Sequence, residues 1–278
     1  MKKKVTTTTT TTVVEEEIIT NDKSGVLDMV IAFDTTGSMG AYIEDVKKHV
    51  KDLIPNLLNT NPDLQLGIVA FGDYCDMQSY NNFGKAYQVI NLTRNENDLI
   101  KFVQTAENTS GGDGDEFYEL VLHKILNETN WRENSKKSIL LIADAHPHEV
   151  GYTYGTVCPS NQIDWREEAK LAASMQVQID TLSLYNYGED WYKELSAMTN
   201  GIYSKFKTSS KTSDFIKAAT YSRGGDNTAS YMTDLYVTSV TCGDSELADV
   251  TRAYAVRNST ADKDMKTFDC SISSKFSE

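Results

Sequence analysis

The stretch of the chain that decides the fold reads Ile31-Ala32-Phe33-Asp34-Thr35-Thr36-Gly37-Ser38-Met39-Gly40. It completes an apolar run that begins at Val26, and such a run predicts a buried strand. Apolar residues recur at helical spacing from Ile43 to Leu57, so a helix is predicted to begin soon after Ser38. Asp34 therefore ends a strand, and small hydroxyl residues follow it at the turn into a helix.

Short apolar runs alternate with amphipathic stretches along most of the chain. The predicted strands after the first are 64–71, 138–143, 177–184 and one starting at Gly201. The predicted helices are 43–57, 116–126, 165–175, 191–198 and 214–220. This alternation predicts an α/β fold with a doubly wound, mainly parallel sheet flanked by helices. Ligands of such folds bind at the carboxyl ends of the strands, where the strand order reverses.

The composition divides the chain into three parts. Residues 1–25 form a Thr-rich arm whose Thr, Val and Ile residues favour extended backbone, so self-assembly by strand addition is compatible with it. Residues 26–222 form the α/β domain. Residues 223–278 contain segments such as Tyr231–Val240 and Thr251–Val256, which we interpret as a small β-rich C-terminal appendage.

The charge and the apolar pattern exclude some partners. The net charge is −13, which argues against nucleic acid, because nucleic-acid binding draws on basic patches. Apolar runs fall short of the roughly 18 residues that a membrane span needs. The N-terminus lacks the apolar region of a signal peptide, so we expect a cytoplasmic protein. The four cysteines are interpreted as free thiols.

Three kinds of site resemble the segment around Asp34. An aspartic protease has Asp-Thr-Gly in direct sequence on a β-rich fold, whereas an extra Thr separates Asp34 from Gly37 here. A phosphate-binding loop ends in Gly-Lys-Ser or Gly-Lys-Thr, and this loop has no Lys. Asp34, Thr36 and Ser38 are two residues apart, so their oxygens can face one point and hold Mg²⁺ or Mn²⁺. The alternative is that Thr36 or Ser38 only caps the next helix.

Two further segments strengthen the metal interpretation, Thr109-Ser110-Gly111-Gly112-Asp113-Gly114-Asp115-Glu116 and Ile142-Ala143-Asp144-Ala145-His146-Pro147-His148. Together with Asp-x-Thr-x-Ser after an apolar strand, they resemble the von Willebrand factor type A (VWA) domain with its metal-ion-dependent adhesion site. The sequences of the three segments most resemble those of the branch associated with alpha-kinases and hemicentin-like proteins. The resemblance covers about residues 26–220.

The resemblance implies a set of metal ligands. Asp34, Thr36 and Ser38 would bind Mg²⁺ (or Mn²⁺ or Ca²⁺) directly or through water, and Asp144 would bind the ion or hold a metal-bound water. Asp113 stands where most relatives have a Thr, and Thr109 comes earlier, so either can supply the second-loop ligand. A charged Asp113 would make the ion less attractive to the carboxylate of a partner.

Other polar residues receive simpler interpretations. We interpret Asp115 and Glu116 as acids at the N-terminus of the following helix. Zinc binding by His146 and His148 lacks a supporting Cys or second His cluster, so an exposed loop is expected there. The segment from Asp73 to Asp76, and Cys158, are expected on loops at the carboxyl edge of the sheet, with surface thiols.

The expected function is therefore binding rather than catalysis, because no Ser-His-Asp or Cys-His arrangement is visible. We expect a divalent-metal-dependent protein–protein interaction module, for adhesion or as a scaffold, whose ion takes an acidic or other oxygen ligand from a partner protein. Two alternatives remain: a metal-dependent phosphotransferase or hydrolase, and a structural assembly subunit with a vestigial metal site.

Overall fold

A six-stranded sheet forms the centre of the protein. The computed structural model describes residues 26–79, 83–153, 162–184, 187–205, 207 and 211–257. The strands of this sheet lie in the order β3-β2-β1-β5-β7-β8. Their bounds are β1 Leu27–Asp34, β2 Leu64–Phe71, β3 Tyr87–Thr93, β5 Lys136–Ala143, β7 Val177–Ser183 and β8 Tyr203–Lys205. A separate pair consists of β4 Asp115–Glu116 and β6 His146–Pro147.

The direction of the strands confirms the predicted α/β architecture. Neighbouring strands are parallel throughout the main sheet except at one edge, where β3 runs antiparallel to β2. Strands β1, β2 and β3 follow one another toward one edge of the sheet. The chain then returns to the centre and forms β5 on the other side of β1. The strand order therefore reverses between β1 and β5, and their carboxyl ends form the predicted position for a ligand.

Helices cover both faces of the sheet. Their bounds are α1 Gly40–Thr60, α2 Tyr74–Ser79, α3 Phe83–Ala86, α4 Glu96–Thr105, α5 Tyr118–Glu128, α6 Trp165–Ser174, α7 Glu189–Met198, α8 Thr212–Arg223, α9 Ala229–Thr241 and α10 Ser245–Arg257. Side chains of β1 alternate between the faces: Ile31 packs in the core that includes α1, α4 and α8, and Ala32 packs in the core that includes α5, α6 and α7. Both faces are thus buried, which explains why β1 reads as a continuous apolar run.

The predicted β-rich character of the C-terminal part is wrong for the residues that the structure describes there. Tyr231–Val240 lies within α9, and Thr251–Val256 lies within α10. Leu247, Val250 and Tyr254 are three and four residues apart and are buried in the core beside α8. Packing of this helical face overrides the strand preference of Thr, Val and Tyr.

The sequence did not predict the four elements between β2 and the glycine-rich loop, which are α2, α3, β3 and α4. Strand β3 alternates between more and less exposed residues, as an edge strand does, and only Tyr87 is buried among its described residues. Helix α4 begins after Asn95, whose side chain accepts a hydrogen bond from the amide of Asp98 at 3.3 Å. This is an ordinary N-cap.

The N-terminal arm, residues 1–25, lies outside the described residues. The role of the arm in self-assembly therefore stays a prediction. A search of the helices in the described part of the chain finds none with the length and apolar character needed to cross a bilayer.

Candidate metal centre

Asp34 is fully buried at the end of β1, and both of its carboxylate oxygens accept hydrogen bonds. Oδ1 accepts from the amide of Thr36 at 2.8 Å and from its hydroxyl at 2.7 Å. Oδ2 accepts from the hydroxyl of Tyr118, the first residue of α5, at 2.7 Å. The side chain of Thr36 does not cap the short turn of helix at Gly37–Met39, so the helix-cap interpretation of Thr36 is wrong.

Asp144 lies directly beyond β5, beside the end of β1. The register between the two strands pairs Phe33 with Ile142, so Asp34 and Asp144 end neighbouring strands. The hydroxyl of Ser38 lies beside the carboxylate of Asp144. Burial raises the pKa of Asp144, and the neighbouring Ser38 hydroxyl opposes that rise. Two hydroxyl–carboxylate pairs therefore stand at the reversal point of the sheet.

The glycine-rich loop lies against this pair of strand ends. The hydroxyls of Thr35 and Thr109 are 3.0 Å apart, and the amide of Thr109 donates to the carbonyl of Thr35 at 2.9 Å. The carboxylate of Asp76 accepts from the amides of Ser110 and Gly111, at 2.9 and 3.2 Å. Asp76, which sequence reasoning treated only as part of a loop, therefore anchors the first half of the glycine-rich loop.

Glu116 is a buried acid without a complete set of partners. Only 4% of the residue is exposed, and Oε2 has no hydrogen-bond partner among the described residues. Burial raises the pKa of Glu116 above its ordinary value, and repulsion from Asp34 and other neighbouring carboxylates raises it further. Glu116 lies in β4 rather than in the first turn of α5, so it is not the helix-terminal acid that the sequence suggested.

The close packing at Gly111 explains part of this geometry. A Cβ atom at position 111 would lie 2.8 Å from Oε1 of Glu116 and 3.5 Å from Cγ2 of Thr36. Gly111 also has a φ of +66°, which side-chain-bearing residues rarely adopt. The glycine therefore lets the loop approach both Glu116 and Thr36.

The electrostatics of these residues fit a cation. Burial and the neighbouring Asp144 raise the pKa of Asp34 to about 7, although the hydrogen bonds from Thr36 and Tyr118 oppose the rise. Among the described residues, no Lys or Arg forms an ion pair with Asp34, Glu116 or Asp144. Buried carboxylates without a positive partner are costly. A divalent ion would neutralise them, and carboxylates with hydroxyls are the oxygen donors that Mg²⁺ takes.

Asp113 lies in a different group of side chains. It is exposed, and its Oδ2 accepts from the hydroxyl of Tyr152 at 3.1 Å. Asp113 lies near Asp73 and His148: each of the three residues offers one possible ligand atom, and these atoms lie within 4.8 Å of one another. Among the described residues, no hydrogen bond joins Asp113 to Asp34, Thr36, Ser38 or Asp144.

The surroundings of His148 differ from the prediction of an exposed loop. His148 is only 2% exposed, and its Nε2 lies 2.6 Å from Oδ1 of Asp73. Asp73 lies just beyond β2, at the carboxyl edge as expected, but it is buried. Cys75 is buried in helix α2, so both the loop and the surface-thiol interpretation are wrong for it. Cys158 lies outside the described residues.

Most of the chain matches one known protein family. The family model of the von Willebrand factor type A domain matches residues 28–218. The chain belongs to the von Willebrand factor type A family. VWA domains often bind a divalent metal ion, and they are generally interaction modules rather than enzymes.

Two curated proteins are similar to this VWA chain. One is the putative ariadne-like RING finger protein R811 of Acanthamoeba polyphaga mimivirus, 24% identical over 190 residues, which are 65% of this chain and 18% of the relative. The other is the alpha-protein kinase vwkA of Dictyostelium discoideum, 30% identical over 133 residues, 46% of this chain and 20% of the kinase. The chain thus spans about a fifth of the length of these relatives.

Solved structures show the same fold. The pilus adhesin SpaC of Lactobacillus rhamnosus GG in its open conformation aligns with a TM-score of 0.54 at 17% identity, over 74% of this chain and 30% of the adhesin. A second crystal structure of SpaC gives a TM-score of 0.52 at 16% identity, over 74% of this chain and 31% of the adhesin.

Two residues near Asp34 were not found as site residues from the sequence. Tyr118 reads as an ordinary aromatic residue of an amphipathic helix, and its hydroxyl also accepts from the amide of Ala145 at 3.1 Å. The sequence predicts Glu116 only as an acid at the helix terminus. Its place at the end of the glycine-rich loop, directly after Asp115, is the one signal that the sequence offers for a role in the site.

Proposed function

We propose that this VWA domain binds a partner protein through a divalent cation, Mg²⁺ or Mn²⁺, held at the ends of β1 and β5. The ligands would be Asp34, Thr36, Ser38 and Asp144, directly or through water. The observation on which this rests is the pair of hydroxyl–carboxylate contacts, Thr36 with Asp34 and Ser38 with Asp144, at the point where the strand order reverses.

The second loop is proposed to contribute Glu116 rather than Asp113. The unpartnered Oε2 of Glu116 and its repulsion by Asp34 and Asp144 support a place beside the cation. Asp113 was the acid expected from the sequence, but its hydrogen bond to Tyr152 draws it toward Asp73 and His148.

Access to the proposed ion is through the turn after Asp34. Gly37 and Ser38 are exposed, whereas Asp34 and Thr36 are buried. A partner would therefore approach over Ser38 and supply an oxygen, most simply a carboxylate, to the cation. Hydroxyl ligands bring no charge, so they leave the ion able to attract that carboxylate.

The first experiment is a calorimetric titration of metal-stripped protein with Mg²⁺ and with Mn²⁺. The wild type should bind one ion at this site, and Asp34→Asn should abolish that binding. Asp52→Asn, an exposed acid on α1, is the matched control and should bind like the wild type. If the folded wild type binds neither ion, the proposal fails, and a structural subunit with a vestigial metal site becomes the better interpretation.

A second experiment tests the partner chemistry. Random peptides displayed on phage would be selected on immobilised protein in Mg²⁺ and eluted with a chelator. We expect the eluted peptides to be enriched in Asp and Glu and to be lost when the Asp34→Asn protein is used. Recovery of the same peptides with that variant, or no enrichment of acids, would contradict recognition of a carboxylate by the ion.

A further inference from the structure

A second group of metal-ligating side chains lies beside the proposed Mg²⁺ site. Asp73 follows β2, Asp113 lies in the glycine-rich loop, and His148 follows β6. Each offers one ligand atom, and these three atoms lie within 4.8 Å of one another. The fold thus brings together two carboxylates and one imidazole from segments that are far apart in the sequence.

Neighbouring groups hold these three residues in place. Oδ2 of Asp73 accepts from the amide of Cys75 at 3.3 Å, and the backbone amide of His148 donates to Oε2 of Glu119 at 3.2 Å. The ring of Tyr152 stacks on the ring of His148, with 3.5 Å between their centroids. Its hydroxyl donates to Asp113, so Tyr152 positions two of the three groups. Such support is typical of side chains that bind metal ions.

One polar atom of this group, a ring nitrogen of His148, lacks a hydrogen-bond partner among the described residues. Nε2 of His148 lies 2.6 Å from Oδ1 of Asp73, whereas Nδ1 has no partner among the described residues, although only 2% of the residue is exposed. A buried polar nitrogen without a partner is unfavourable. Asp113 is exposed, so solvent and ions can reach the group from its side.

We propose that Asp73, Asp113 and His148 form a second cation site, one that prefers Zn²⁺ or a similar transition-metal ion to Mg²⁺. An imidazole nitrogen is a good ligand for Zn²⁺, whereas Mg²⁺ prefers oxygen throughout. Three protein ligands leave a coordination position for water or for a group of a partner. The imidazole distinguishes this site from the all-oxygen site at Asp34.

The test is a calorimetric titration of metal-stripped protein with Zn²⁺ in the presence of excess Mg²⁺. In a separate sample, Co²⁺ serves as a spectroscopic probe of the same site. The wild type should bind one Zn²⁺, and Co²⁺ should show visible absorption that Zn²⁺ abolishes. His148→Gln should weaken Zn²⁺ binding by about tenfold or more and leave Mg²⁺ binding intact. Asp34→Asn should abolish Mg²⁺ binding and leave Zn²⁺ binding intact. The two variants therefore distinguish failure of the second site from failure of the proposed Mg²⁺ site.

A matched control is available in His123, which is exposed and pairs with Glu168 at 2.9 Å, and for which the described part of the chain offers no third metal ligand. His123→Gln should bind Zn²⁺ like the wild type. If His148→Gln does not fold, Asp113→Asn replaces it, because Asp113 is on the surface. Zn²⁺ binding that survives both His148→Gln and Asp113→Asn, or that is lost in Asp34→Asn, would overturn the second site. So would the absence of Zn²⁺ binding by the wild type.

Discussion

The hydroxyl of Tyr118 donates a hydrogen bond of 2.7 Å to Oδ2 of Asp34, across 84 positions of sequence. The same hydroxyl accepts a bond of 3.1 Å from the amide of Ala145. Tyr118 therefore connects the end of β1 with the segment that follows β5, the two places from which the proposed metal ligands come.

Replacing Tyr118 with Phe should destabilise the domain and weaken Mg²⁺ binding. The change removes a donor from the buried Asp34 carboxylate and leaves the amide of Ala145 without its acceptor, at a cost of about 1–3 kcal/mol in the free energy of unfolding. Urea unfolding and calorimetric titration would measure the two effects. Tyr231→Phe, at an exposed position of α9, should change neither. Equal behaviour of the two variants would show that the hydroxyl of Tyr118 is unimportant.

Mg²⁺ affinity should fall as the pH falls below about 7. The pKa of Asp34 in the metal-free protein is raised to about 7, so a proton competes with the ion for this carboxylate below that pH. Loss of one proton per ion predicts a decrease of about tenfold in affinity per pH unit in that range. Titrations in two buffers with different ionisation enthalpies would count the protons released. An affinity that stays constant between about pH 5 and pH 8 would contradict the prediction.

The same pKa shift predicts the pH dependence of stability without metal. The folded pKa of Asp34 lies above its ordinary value of 3.8, so the folded state holds this proton more tightly than the unfolded state does. The contribution of Asp34 to stability is therefore fully present below about pH 4 and is lost as the pH rises through about 7. Saturating Mg²⁺ should restore stability at the higher pH, as urea unfolding with and without the ion would measure.

Gly111→Ala should be more damaging than an alanine at another glycine with similar backbone. Position 111 has a φ of +66°, and its new Cβ would lie 2.8 Å from Oε1 of Glu116. Gly243 has a φ of +73° and no atom within 4 Å of its virtual Cβ, so Gly243→Ala measures the backbone strain alone, about 1–2 kcal/mol. The excess loss at position 111, together with weaker Mg²⁺ binding, would come from displacement of Glu116. Equal losses in both variants would argue against that contact.

The ion pair between Arg223 and Asp180 should be important for stability. Asp180 is fully buried in β7, and the guanidinium of Arg223 at the end of α8 donates to both of its carboxylate oxygens. Arg223→Met leaves an uncompensated buried charge and should cost about 3–5 kcal/mol in the free energy of unfolding. Lys170→Met removes an exposed pair with Glu167 and should have little effect. A loss in Arg223→Met no larger than that in Lys170→Met would contradict the prediction.

The parts of the fold that the sequence predicted share a simple physical signal. Strands β1, β2, β5 and β7 are covered on both faces, so each appears as a continuous apolar run with almost the observed bounds. Strand β3 lies at the edge with an alternating pattern and was missed. Helices α9 and α10 were predicted as strands because Thr, Val and Tyr also favour strands, whereas the two helices pack against each other and against α8.

The site was predictable where its residues follow directly from a strand. Asp34 and Asp144 end two buried strands, so their proximity follows from the topology. The orientation of the glycine-rich loop does not follow from the topology, because it depends on the hydrogen bonds to Asp76 and on the close packing at Gly111. That orientation turns Glu116 inward and leaves Asp113 at the surface, which the order of residues alone could not distinguish.

The position of Glu116 makes the two proposed ions dependent on each other. This one carboxylate is repelled by Asp34 and Asp144, which are proposed ligands of one ion, and by Asp73, which is a proposed ligand of the other. An ion bound at either place would offset part of this negative charge, so the second ion would be attracted less strongly. By thermodynamic reciprocity, Zn²⁺ would lower the affinity for Mg²⁺ by the same factor as Mg²⁺ lowers the affinity for Zn²⁺. Binding of a carboxylate partner through Mg²⁺ would therefore be strongest where Zn²⁺ is scarce.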